Sequence, residues 1–63
     1  MSVEYAFVSA CRDKRVNNCP EVATNVPGQV ALRDSERPDE IVTMSTGGWA
    51  MLRAAIQAGE YDL

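Results

Sequence analysis

Asn25-Val26-Pro27-Gly28-Gln29-Val30-Ala31-Leu32-Arg33 is the stretch that decides how this chain folds. Pro27 and Gly28 occupy the two central positions of a four-residue turn. Proline supplies a fixed φ there and glycine the positive φ that type II geometry needs. The turn predicts a hairpin with arms over residues 19–24 and 29–33. In the second arm Val30 and Leu32 share one face and Ala31 and Arg33 the other, which assigns Val30 and Leu32 to the core. Pro20 lacks an N–H and belongs at the start of the first arm or on its unpaired side.

Working outward toward the N-terminus, Val3, Tyr5 and Phe7 alternate with Glu4 and Ala6, a period of two that predicts a first strand over residues 3–9. Residues 12–18 are polar and carry two asparagines, so they read as a loop. Arg12, Lys14 and Arg15 fall in it; without interleaved aromatics, and with Asp13 among them, they read as solvated charges rather than a phosphate contact. Toward the C-terminus, residues 34–39 form a charged connection in which Asp34 and Ser35 can bond local backbone N–H groups and Pro38 stops the ladder. Residues 40–44 are rich in β-branched side chains and predict a further strand.

Ser45 is the expected N-cap of a helix over residues 46–58, with Gly59 as its stop. Trp49, Leu52 and Ile56 form an apolar stripe, widened by Met51 and Ala55. Trp49 reads as the centre of the core. Gly47 and Gly48 weaken the first turn, and Tyr61 and Leu63 fold back as apolar closers or trail as a loose tail. The predicted architecture is α+β. A single small domain over residues 1–63 holds an antiparallel sheet of three to four strands, packed on its apolar face by one C-terminal helix through Trp49, Leu52 and Ile56.

Six basic residues against nine acidic ones give a net charge of −3, and there is no histidine. An acidic chain lacks the electrostatic footprint of an autonomous nucleic-acid binder. The missing imidazole removes serine-histidine and cysteine-histidine catalysis and the commonest transition-metal ligand. Gly47-Gly48 lacks the spacing and the lysine of a phosphate loop. The acid pairs Asp39-Glu40 and Glu60/Asp62 read as solvated charges, since nothing separates their pKa values. No catalytic, metal or cofactor site is expected. Nor does any segment read as a membrane span or a signal peptide, so the expected placement is cytoplasmic. The spacing of Cys11 and Cys19 fits neither a C-x-x-C redox pair nor a zinc half-site. Two reduced thiols packed as small hydrophobes is the first reading, and a bridge closing a short loop the second.

Asn18-Cys19-Pro20-Glu21-Val22-Ala23, then Val30-Ala31-Leu32-Arg33-Asp34-Ser35, then Trp49 and Ala58-Gly59-Glu60-Tyr61-Asp62 follow one another in the order and spacing of the actinobacterial domain-of-unknown-function 397 family, which the chain resembles over about residues 18–62. That family usually opens with tryptophan and a basic pair, where this chain has Phe7-Val8-Ser9-Ala10-Cys11. It commonly places Pro and Glu after the helix cap, where this chain has Thr46-Gly47-Gly48. The resemblance implies a small cytoplasmic regulatory protein, often encoded beside a helix-turn-helix regulator, and a pairing similar to toxin and antitoxin. It transfers no catalytic residue.

The expected function is therefore a non-enzymatic interaction module that binds and modulates a helix-turn-helix regulator. A toxin-like effector and a homo-oligomeric structural unit, such as a homo-dimer, are the alternatives. Arg33, Asp34, Glu36, Asp39, Glu40, Glu60 and Asp62 are the candidate partner-binding residues. Arg33 and Asp34 also have a structural reading, in which Arg33 bridges to the helix end or Glu60 and Asp34 caps the following turn.

Overall fold

The computed structural model describes residues 4–13 and 15–63. Four strands, β1 (Val8–Ser9), β2 (Pro20–Ala23), β3 (Gln29–Asp34) and β4 (Arg37–Ser45), are followed by one helix, α1 (Thr46–Gln57). The strands form an antiparallel sheet in chain order, each beside the one before it. This is the α+β arrangement that the sequence predicts.

The central hairpin forms as its turn chemistry dictates. Gly28 has φ +82°, and the Gln29 N–H donates to the Val26 carbonyl at 3.4 Å. A loop closing directly on Val26 and Gln29 would set Glu21 opposite Asp34. The ladder instead sets Glu21 opposite Arg33 and Val22 opposite Leu32, one residue out of that register. A type II turn does not match the right-handed twist of the strands, so a slightly longer loop joins them.

Three expectations about strands need correction. β1 pairs only over Val8 and Ser9, opposite Val22 and Glu21. Val3 lies outside the described residues. Upstream of β1 the Asn25 carboxamide takes over the pairing, accepting from the Ala6 N–H at 2.8 Å and donating to the Glu4 carbonyl at 2.9 Å. The connection expected over 34–39 is far shorter, because Asp34 already pairs with Arg37. Between the Leu32–Val42 and Asp34–Arg37 pairs, two steps along β3 face five along β4, so β4 bulges around Pro38. β4 is an edge strand, where proline and a bulge are tolerated and discourage pairing with another chain.

The helix is capped at both ends by its own sequence. Ser45 Oγ accepts from the Gly48 N–H at 3.0 Å. At the other end Gly59, with φ +78°, donates to the Ile56 carbonyl, and the Glu60 N–H donates to the Ala55 carbonyl, the two bonds of a Schellman motif.

The core is smaller than the helical stripe predicts. Among the described residues only Ala23, Val30 and Ala31 are buried, and none belongs to α1. Leu32, Trp49 and Leu52 are half-buried. Ile56, expected in the core, is 55% exposed, and Met51 is 77% exposed. Tyr61 and Leu63 are exposed as well and do not close over the fold. The helix leaves β4 directly at Ser45 and, among the described elements, meets only β3 and β4, so its apolar side is wider than the sheet beneath it.

Candidate functional site

Antiparallel partners point to the same side of a sheet. Val8 pairs with Val22, Val22 with Leu32 and Leu32 with Val42, so four aliphatic side chains form one row across all four strands. The next row on that face, Val30 with Met44, lies beside the start of α1, and Val30 is 2% exposed. The Val8 row has no such cover. Val8 is 67% exposed and Val42 61%. An open groove of about 480 Å³ runs along this face over Pro20, Leu32 and Val42, walled by Asp34, Arg37 and Glu40.

The groove's end wall is built by two segments that hold each other. Asn18 Nδ2 donates to Asp34 Oδ2 at 3.2 Å. The Cys19 N–H donates to Ser35 Oγ at 3.0 Å, and the Ser35 N–H donates to the Cys19 carbonyl at 2.9 Å. Asp34 also accepts from the Glu36 N–H at 2.9 Å, capping the β3–β4 turn as expected. That backbone bond, then the Asn18 amide, and more weakly the charge of Arg37, hold the Asp34 carboxyl below the usual carboxylate range. Asn18 to Glu21 and Arg33 to Ser35, two stretches that carry the family resemblance, are thus mutual partners in the fold.

Arg33 lies on the opposite face. Its Nε donates to Glu21 Oε1 at 2.6 Å, and its guanidinium carbon sits 3.9 Å from the centre of the Phe7 ring. The expected bridge to the helix end or Glu60 is replaced by this pair, because the register brings Glu21 directly across. Of the seven candidate contact residues, Arg33 and Asp34 therefore have internal partners. Glu36, Asp39 and Glu40 are exposed on the turn and on β4, where Glu40 stands 3.8 Å from Arg37. Glu60 and Asp62 are exposed beyond the helix, and among the described residues no hydrogen bond or ion pair joins them to the turn.

No family model, curated protein or solved structure matches the chain. Cys11 and Cys19 form a disulfide, with Cα atoms 5.6 Å apart, which overturns the reading as free thiols. The β1–β2 register explains it: continuing 8 with 22 and 9 with 21 sets 11 opposite 19. Asp13 and Arg15 pair within the intervening loop at 2.7 Å, which lowers the pKa of the Asp13 carboxyl and raises that of the guanidinium. Among the described residues no group of His, Cys, Asp and Glu is placed to hold a metal ion, and no helix is long and apolar enough to cross a membrane.

The Val8–Val42 row, the Asn25 clamp and the Ser35 link do not stand out in the sequence. Val22, Leu32 and Val42 are aliphatic members of their strands, whereas Val8 falls on the Glu4–Ala6 side of its strand's alternation. Only the register between strands aligns them, and register is a tertiary property.

Proposed function

We propose that this chain is a regulatory, non-enzymatic interaction module of an actinobacterial cytoplasm that binds a helix-turn-helix transcriptional regulator and modulates it. The observation that carries the reading is the aliphatic row Val8, Val22, Leu32 and Val42, open to solvent and bordered at its β4 end by Arg37 and Glu40, with Glu36 and Asp39 exposed on the adjoining turn and strand. A contiguous apolar strip rimmed by charge marks a protein-binding surface.

The acidic border suits a basic partner. A surface that binds phosphate is such a partner, and an acidic protein docking on it would compete with DNA instead of binding DNA. The helix-turn-helix identity of that partner comes from the motif resemblance. Arg33, Asp34 and Ser35 support the site by fixing the strands under it, while Glu60 and Asp62 add a second acidic patch past the helix.

The test is binding of the purified chain to the helix-turn-helix protein encoded beside it, measured at low and high salt. A complex that weakens about tenfold or more as salt rises above a few hundred millimolar is expected, because exposed charges are screened beyond roughly 10 Å at 0.1 M. Absence of a complex at either salt concentration refutes the reading. Growth arrest on expression without the regulator would assign a toxin-like effector instead.

A further inference from the structure

The described residues upstream of Cys11 form a strap along the β1 edge of the sheet, and its Tyr5 and Phe7 side chains reach over the face opposite the open row. Tyr5 Oη donates to Gln29 Oε1 at 2.6 Å, and Phe7 lies against the Arg33 guanidinium, so the two rings flank Ala31 on β3. Their centroids are 5.7 Å apart. On this face Ala23 and Ala31 are 1% and 0% exposed, small side chains that leave room for aromatic rings above them. The strap's backbone is held by a two-residue ladder, by the Asn25 clamp, and by the Ala10 N–H donating to the Pro20 carbonyl at 2.9 Å.

The Cys11–Cys19 bond closes the far end of this short pairing. It is also within reach of solvent. An open depression of about 390 Å³ lies over it, lined by Cys11, Arg12, Asp13, Val16 and Cys19. Arg12 Nη1 donates to the Ser9 and Cys11 carbonyls, both at 3.1 Å, which keeps a positive charge beside Cys11. A neighbouring cation favours the thiolate that must leave in thiol exchange.

We propose that Cys11–Cys19 is a thiol-exchangeable clasp on the N-terminal strap: reduction by a low-molecular-weight thiol releases residues 4–10 and uncovers the Ala23–Ala31–Arg33 side of the sheet. In the first step a small thiolate attacks one cysteine sulfur, the protein S–S bond breaks, and the other cysteine departs as a thiolate. A second small thiolate then attacks the mixed disulfide and leaves as the small-molecule disulfide, freeing the first cysteine. Two electrons pass from two small thiols to the protein, and each cysteine thiolate takes up a proton. The sheet from β2 to β4 and the helix keep bonds of their own, including the Ser35–Cys19 backbone link and both helix caps. Release also takes Val8 out of the open row, but the clasp is tested without the regulator, so its outcome is separate from that of the binding reading above.

Hydrogen exchange of the full chain, oxidised and in millimolar dithiothreitol, tests it, with a chromogenic thiol count alongside. Two thiols should appear under native conditions. Exchange at the Ala6 and Ala10 amides should accelerate by at least about tenfold as the short loop loses its closure. The Ala58 and Gly59 amides, bonded within the helix end, should keep their protection. A Cys11→Ser, Cys19→Ser double variant should reproduce the reduced pattern without reductant. The proposal is overturned if the bond resists dithiothreitol until denaturant is added, or if Ala6 and Ala10 stay protected once both thiols are counted. Simultaneous loss of strap and helix protection also overturns it, since the bond would then staple the whole fold.

Discussion

Arg33 shows how one side chain can join three parts of a small protein. Its planar guanidinium bonds Glu21 through Nε while its face lies on Phe7, so β3, β2 and the N-terminal strap meet at one group. Both partners of the ion pair are mostly shielded, with side-chain exposures of 27% and 20%. Arg33→Ala should therefore cost about 2 kcal/mol in chemical denaturation, because it removes a charged hydrogen bond and a cation–π interaction together. Arg33→Lys should recover less than half of that, because an ammonium cannot offer a planar face and a directed Nε–H at once. A loss below about 0.5 kcal/mol for Arg33→Ala would show the pair to be idle. That Arg33 and Asp34 point to opposite faces and need separate partners was legible in the sequence. Which acid Arg33 meets was not, because a one-residue offset in the hairpin register selects Glu21.

Among the elements, those fixed by local chemistry were the legible ones. The Pro27-Gly28 turn, the Ser45 cap and the Gly59 stop each depend on a few adjacent residues, and each forms as its residue types require. The start of β4 was not legible. Pro38 and its charged neighbours read as a connection, but on an edge strand they form a bulge and the ladder resumes at Val42. The helix region offers two glycines with opposite predicted responses. A Cβ at Gly47 would find only Ser45 Oγ, at 3.9 Å, so Gly47→Ala should stabilise the chain by up to about 1 kcal/mol through helix propensity. At Gly59 the backbone is left-handed and a Cβ would come within 3.0 Å of Asp62 Oδ2, so Gly59→Ala should destabilise it by about 1 kcal/mol or more. Thermal melts of the two variants should shift in opposite directions; a shift in the same direction would contradict the capping geometry.

At the scale of the whole molecule, the shortest dimension is 17 Å, little more than a sheet with one layer upon it. So thin a body buries few side chains, and its two sheet faces are covered unequally. Tyr5 and Phe7 reach over one face from the β1 edge. On the other, the helix lies at the Val30 end and leaves the Val8–Val42 row open. Periodicity within the helix could not anticipate this, because it shows which side is apolar and not how much sheet lies beneath; Ile56 and Met51 stay exposed for that reason. The same asymmetry separates folding from binding. Val30→Ala, at a buried position, should cost about 2 kcal/mol, whereas Val42→Lys, at a 61% exposed one, should change stability by no more than about 0.5 kcal/mol. If the row is the docking face, Val42→Lys should nonetheless weaken binding to the regulator by about tenfold or more, since it puts a flexible cation where an apolar contact is needed and opposes a basic partner. Denaturation and titration calorimetry on the same two variants distinguish the outcomes. Equal destabilisation by both would make the row part of the core, and a stable Val42→Lys that binds as tightly as the parent would place the partner on another surface.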